Sequence, residues 1–385
     1  MTITQSTSRK RLVMLGTAGL MGGVASVIDV YRTHGLMDRW QIVFIKTHDD
    51  GGIAVKLFVA AFGFMRFAAM LFARQVACAH IHCSTGLSFW RKSFYILAAF
   101  TFGVPVILHL HGGNFDKFYE STLGVMGRRF ARFLFVRSAC VIVLATPWKR
   151  WIKTVCSNAN IVVIHNPVID MPSSVIPNTK KNAVILALGR LTKTKGTYDL
   201  LSAVSRIVSE VPDVQLMLGG DGEHDAVKRR ARELGIEDRV HVLGWVTGTE
   251  KNVYLASAMV FAQPSYFEGL PVSILEAMSA GIPVITTPVG GIPDAVRNDQ
   301  EGILVEPGDI AALSAALLRI LTDESLRQRL GQSSRRTVNE RFHANRVVPQ
   351  VEALYAKLGL TPSTENLKQK TLNEGTKSCA ESRAG

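Results

Sequence analysis

Two glutamates eight positions apart, Glu268 and Glu276, bracket the start of an apolar run in SYFEGLPVSILEAMSAGIPVI (265–285). Pro271 suits the first turn of a helix, where no amide donor is lost, and the AG and IP pairs at 280–283 end it. Glu276 therefore falls inside a helix, about five residues or ~7.5 Å beyond Pro271. Glu268 precedes the helix, in a loop freed by Gly269. The unpaired amides from Leu270 to Ser273 make this helix start an anion site. Carboxylates beside it repel phosphate but accept hydrogen bonds from sugar hydroxyls. A phosphate-bearing molecule with a sugar at each end, a nucleotide-sugar, meets all of these demands.

Other chemistry-bearing residues sit where strands should end. LGRLTKTKG (188–196) presents Arg190 and Lys195 on a loop closed by Gly196. Two cations there can neutralise a departing diphosphate, a role elsewhere played by magnesium, so no metal is expected. GGDGE (219–223) is a second strand-end glycine loop, and VLG followed by WV (242–246) is a candidate nucleobase wall. In HLHGGNF (109–115), His109 and His111 point the same way by the two-residue strand period. His111 is nearer the turn, and His109 competes with it for a site role. The plain alternatives are solvated surface cations and a structural strand-end histidine. The five cysteines are scattered without a Cys-x-x-Cys pair, which implies reduced thiols in a cytosolic compartment and no structural zinc.

The elements that must position these groups form two cycles. RLVML (11–15), QIVFI (41–45), VPVILHLH (104–111), CVIVLA (140–145) and NIVVIHN (160–166) read as buried strands alternating with helices. A proline-rich polar stretch interrupts them. A second cycle follows in AVILALG (183–189), VQLMLGGDG (214–222), VHVLG (240–244), MVFAQPS (259–265), PVITTPVGG (283–291) and GILVEPGD (302–309). The expected class is α/β, with two Rossmann-like doubly wound domains facing a cleft. The first spans 1–168 and the second 183–341, joined by a linker at 169–182. Residues 342–360 form a helix crossing back, and 361–385 a polar, disordered tail.

Composition limits the function. With 385 residues and 47% hydrophobic content, the chain is neither disordered nor fibrous. Its net charge of +13 lies entirely in one half: residues 1–180 carry 20 Lys/Arg against 7 Asp/Glu, whereas 181–385 carry 24 of each. Three apolar, aromatic stretches there (53–75, 87–103 and 127–139) are studded with cations. The first is long enough to cross a bilayer, but Lys56 and Arg66 interrupt it. Either these are core helices whose cations snorkel outward, or they lie in a membrane interface. The charge asymmetry favours an anionic membrane surface as partner. Nucleic acid is not expected, since no recognition motif accompanies the charge. The start RKRLVMLGTAGLMGGVAS imitates a signal peptide, but its glycines fit a strand turning into a loop better.

The combination G-R-x-x-x-x-K-G, G-D-G-E and E-G-L-P-x-x-x-x-E-A-x-x-x-G-x-P-V, over 183–310, resembles the family 4 glycosyltransferases. The resemblance implies the type B glycosyltransferase fold and retaining transfer from a nucleotide-sugar, with no cofactor. It further implies that Glu268 binds the donor sugar's hydroxyls and Glu276 the nucleoside ribose. Arg190 and Lys195 would hold the diphosphate, assisted by backbone at Gly269, Leu270 and Pro271. GLMGGVASV (19–27) resembles the family's first glycine loop, placing Gly22 and Gly23 near the donor phosphates and acceptor. His111 resembles its cleft histidine. The expected reaction moves a sugar from a GDP- or UDP-linked donor to a lipid-linked saccharide in exopolysaccharide, capsule or lipopolysaccharide assembly. The site would lie in the cytoplasm, at the inner face of the cell membrane. Alternatives are a sugar-nucleotide epimerase, a glucan or disaccharide synthase with a soluble acceptor, and a non-catalytic sensor.

Overall fold

The computed structural model describes residues 10–17, 22–170 and 183–362. Most of the expected linker (171–182), nearly all of the expected tail (363–385, with Cys379) and part of the first glycine loop (18–21) lie outside the described residues. The first sheet contains β1 (Arg11–Gly16), β2 (Val43–Lys46), β3 (Val76–Cys83), β4 (Val106–Leu110), β5 (Cys140–Val143) and β6 (Ile161–Val163). All are parallel, in the order β2-β1-β3-β4-β5-β6. The second contains β7 (Val184–Leu188), β8 (Gln215–Gly219), β9 (Val240–Gly244), β10 (Val260–Gln263), β11 (Val284–Thr286) and β12 (Gly302–Leu304). Its order is β12-β11-β10-β7-β8-β9, again all parallel.

Helices cover both faces of each sheet, which is why strands such as β5 are buried along their whole length. The expected architecture of two doubly wound lobes is what the chain forms. Strand order reverses between β1 and β3 in one lobe and between β7 and β10 in the other. Loops leaving the carboxyl ends diverge at such points and open a crevice for ligands.

β3 was not among the strands expected. Its sequence, VACAHIHC, carries two histidines and reads as polar, yet it lies at the centre of the sheet with His80 and His82 buried. Tertiary partners absorb their polarity. The Gly248–Ser257 helix was also not anticipated, because it is short and weakly patterned.

The Ala344–Lys357 helix returns to the first lobe. There Glu352 accepts hydrogen bonds from Arg39 (2.8 Å) and Trp40 (3.1 Å), and Tyr355 bonds His80 at 2.7 Å. One apolar core runs from Leu12 and Met14 through Leu270 and Ile274 to Val351, so the two lobes share buried contacts.

Candidate functional site

The switch point of the second lobe brings together residues far apart in sequence. The chain leaving β7 turns at Gly196, whose φ of 71° suits glycine, and a Cβ there would stand 2.1 Å from the Pro264 carbonyl. This close passage lays the Lys193–Lys195 turn on the loop after β10, where the Tyr266 amide bonds the Thr194 carbonyl at 2.9 Å. Lys195 Nζ then reaches Glu268 Oε1 at 2.6 Å. The same oxygen accepts from Gln263 Nε2 (2.5 Å) and Ser265 Oγ (2.8 Å), and Gln263 Oε1 accepts from Ser273 Oγ at 2.8 Å. Glu268 is 7% exposed and Lys195 32%, so the pair is walled on the protein side and open on the other.

Beside this pair begins the Val272–Ser279 helix, with Pro271 at its N-cap and no side chain capping its first amides. Those donors remain for an anion. The first lobe closes over the same loop. Asn166 donates to the Leu270 carbonyl at 2.7 Å. A Cβ on Gly113, just beyond β4, would stand 2.2 Å from the Gly269 nitrogen, and one on Gly269 would stand 3.3 Å from the His111 carbonyl. A Cβ on Gly23 would lie 3.9 Å from Val272. The loops holding His111, Gly23, Glu268, Gly269, Leu270 and Pro271 therefore converge on one interlobe seam.

Arg190 and Glu276 have other partners. Arg190 bonds Asp221 of the GGDGE loop at 2.9 Å and is largely exposed. It is thus held on the neighbouring β8 loop. Glu276 accepts from Lys251 at 2.6 Å, across from the Gly248–Ser257 helix. Sequence reasoning missed Lys251, Gln263, Ser265, Asn166 and Gly113. The first four lacked a spacing signal, and Gly113 stood within a quoted glycine pair.

Behind His111 runs a buried column of imidazoles. Parallel pairing of β3 with β4 puts His80, His82, His109 and His111 on one face, with ring centroids 4.2 to 5.4 Å apart between neighbours. His82 Nδ1 lies 2.8 Å from His111 Nε2, and His80 Nε2 lies 3.2 Å from His109 Nδ1. The outer nitrogens of His82 and His109 are buried without a partner among the described residues. A buried orphaned N–H costs more than a bare lone pair left facing apolar atoms. The proton arrangement with no orphaned N–H has His109 donating to His80, His80 to Tyr355, and His82 to His111. His111 then carries its proton on Nδ1. Burial holds all four rings neutral: His80 and His111 are pushed down to about 3, and His82 and His109 well below the usual value.

His109 is fully buried, whereas His111 keeps some exposure at the seam. His80, His82 and His109 bring their nitrogens within 4.8 Å of one another. Their rings are near-parallel, however, so the lone pairs lie in separate planes and do not converge as metal coordination requires. A lysine is also buried near the carboxyl end of β3. Lys92 donates to Thr47 Oγ1, which itself bonds the Gly16 carbonyl, and burial pushes Lys92 down to about 7.

Comparisons with known proteins agree with this layout. Residues 173–337 match the family model described as glycosyl transferases group 1. The lipopolysaccharide core biosynthesis glycosyltransferase LpsE of Rhizobium meliloti is 31% identical over 225 residues, 55% of this chain and 62% of that protein. N-acetyl-alpha-D-glucosaminyl L-malate synthase of Bacillus anthracis is 32% identical over 178 residues, 46% of each chain. The chain thus spans about half the length of the curated relatives it matches. Among solved structures, sucrose-phosphate synthase of Thermosynechococcus elongatus superposes with a TM-score of 0.74 at 20% identity, covering 91% of this chain and 99% of that one. HepE of Anabaena, in complex with UDP-glucose, superposes with a TM-score of 0.73 at 20% identity, covering 90% and 99%. The fold is the type B glycosyltransferase fold.

Proposed function

We propose that this chain, whose residues 173–337 match the group 1 glycosyl transferases, is a retaining glycosyltransferase that uses a nucleotide-sugar and needs no metal. The observation that carries this reading is the Lys195–Glu268 pair at the β7–β10 switch point, next to uncapped helix amides. A diphosphate placed there meets Lys195 and the amides after Leu270, which stabilise charge growing on the leaving group. Arg190 joins them by leaving Asp221. Glu268, already accepting three hydrogen bonds on Oε1, offers its other oxygen to donor-sugar hydroxyls, and Glu276 takes the ribose. His111 meets the sugar from the first lobe. The acceptor hydroxyl attacks on the face the diphosphate leaves, and its proton passes to the departing phosphate. No protein nucleophile is assigned.

The acceptor in this reading is a lipid-linked saccharide, met at the cytoplasmic face of the membrane during extracellular polysaccharide or lipopolysaccharide assembly. The cationic first half supports it, as do relatives named for lipopolysaccharide core and capsular polysaccharide biosynthesis. The donor is UDP- or GDP-linked, and the UDP-glucose complex of HepE favours uridine. A soluble-acceptor synthase is the second reading, favoured by the sucrose-phosphate synthase and glycogen synthase relatives.

One assay separates these. Nucleotide release is measured over a panel of activated sugars with lipid extract, with glucan or sugar phosphate, and with no acceptor, followed by mass spectrometry of the products. Release that depends on the lipid extract, with a glycosylated lipid product, is expected. Release with only the soluble acceptors supports the second reading. An epimerised sugar formed without acceptor refutes both.

A further inference from the structure

The Ile53–Phe72 helix carries two apolar seams rather than one. Ala60, Gly63, Phe67 and Leu71, spaced by three and four, face the first lobe. Tyr95 Oη donates to the Ala60 carbonyl at 3.0 Å, Phe67 packs against Tyr95, and a Cβ on Gly63 would stand 2.7 Å from the Lys46 carbonyl. Roughly opposite, at 100° per residue, lies a second seam of Phe58, Phe62, Met65, Ala69 and Phe72. Its four large side chains are each more than half exposed. A surface helix of a water-soluble protein places charge on that side. Phe72 also meets Phe102 at 4.9 Å, so the seam continues onto the C-terminal end of the Leu87–Thr101 helix, where Phe94 and Leu97 are exposed as well.

Charge indicates what covers this seam. No aspartate or glutamate occurs between residues 51 and 115, whereas Arg66 flanks the seam and Arg74 follows its end, both exposed. An apolar strip bordered only by cations complements a lipid bilayer with anionic headgroups. The helix is long and apolar enough to cross a membrane. Its inner seam nevertheless belongs to the lobe's core, with Phe67 fully buried and Leu71 nearly so, and a spanning helix would have to abandon that packing.

We propose that the Ile53–Phe72 helix lies in the plane of a lipid bilayer while docked on its lobe, with the Phe58–Phe72 seam sunk to the acyl boundary and Arg66 and Arg74 at headgroup level. This deepens the membrane part of the reading above. Attachment is chiefly hydrophobic, because taking a phenylalanine out of water is worth more than one surface cation near anionic lipid. Four large apolar side chains against two cations decide the balance.

The test is flotation of the full chain with phosphatidylcholine vesicles in 1 M salt, and with phosphatidylcholine–phosphatidylglycerol vesicles at low salt. Binding is expected to both. The Phe58→Glu/Phe62→Glu variant should lose it at least tenfold in both. Arg66→Gln/Arg74→Gln should weaken only the anionic, low-salt arm, by a few-fold. Two outcomes overturn the proposal: no binding to neutral vesicles in high salt, which makes attachment electrostatic, or a lipid-free dimer that Phe58→Glu/Phe62→Glu dissolves, which makes a second copy the occupant. Nucleotide release in detergent is measured in parallel and should be unchanged in Phe58→Glu/Phe62→Glu. Release without flotation sinks this proposal alone; flotation without release from any donor sinks the enzymatic reading alone.

Discussion

Lys195 Nζ stands 2.6 Å from Glu268 Oε1, joining residues 73 positions apart at the one edge where β7 and β10 diverge. The lysine proposed for the diphosphate and the carboxylate proposed for the sugar are thus already bonded to each other. Arg190, by contrast, is held by Asp221 and must be recruited. Prearranged charge needs little reorganisation when the donor bond breaks.

Glu268→Gln should lower kcat/KM for the donor by roughly 10–100-fold, about 1.4–2.8 kcal/mol of lost transition-state binding. Lys195→Met should match that loss and also lower the melting temperature, because stranding a buried carboxylate costs up to about 3–5 kcal/mol. The double variant should be more stable than Lys195→Met alone. Steady-state kinetics and thermal melts check this, and near-normal donor kinetics in Glu268→Gln would remove the residue from the site.

Gly113→Ala should separate seam chemistry from folding. Its Cβ would collide with the Gly269 backbone, so the β4 loop must withdraw from the Glu268 loop. A misplacement of about 1 Å at a reacting centre costs on the order of 100-fold in rate. The expected result is a fall in kcat of that order with circular dichroism unchanged. Full activity would mean that the seam contact is irrelevant to turnover.

His82 positions His111. With His82 Nδ1 donating to His111 Nε2, the cleft histidine presents an N–H on Nδ1. His82→Leu removes the partner that fixes this tautomer, whereas His82→Asn can still donate. Leucine should reduce kcat by about tenfold, the rate equivalent of losing about one hydrogen bond of ~1.4 kcal/mol to the sugar, with asparagine recovering most of it. Nitrogen-15 shifts of His111 should report the tautomer change directly; identical spectra in wild type and His82→Leu would discard the idea.

Stability should fall as pH drops, in two windows. Lys92 is pushed down to about 7 from 10.5, so between about 7 and about 8 the unfolded chain holds a proton that the folded chain lacks; at higher pH the buried thiols of Cys78, Cys83 and Cys140, held protonated in the folded chain, offset that gain. The slope there approaches ~1.4 kcal/mol per pH unit. Below 6.5 the unfolded chain protonates His80 and His111, which fold as neutral rings at about 3, and stability falls again. Lys92→Met should abolish the alkaline slope, raise stability at pH 7 and leave the acid slope intact. Urea unfolding at pH 5, 7 and 8 decides; the same slope between 7 and 8 in the wild type and in Lys92→Met would show that Lys92 is not the group responsible.

The sequence by itself determined what depends on near neighbours. Short apolar strands, glycine turns and the proline-led start of the Val272–Ser279 helix are set within a few residues, so eleven of the twelve strands among the described residues and the placing of Glu268 before that helix were legible. Tertiary structure alone decided partners. Glu268 met Lys195 rather than Arg190 because strand order puts the β10 loop beside a turn laid flat at Gly196. β3 escaped notice because its histidines count as polar until β4 and Tyr355 supply their hydrogen bonds from 29 and 275 residues away. The Ile53–Phe72 helix is apolar on nearly every side. Which seam the protein buries was settled by Gly63 fitting against Lys46, a contact between elements that no local spacing encodes.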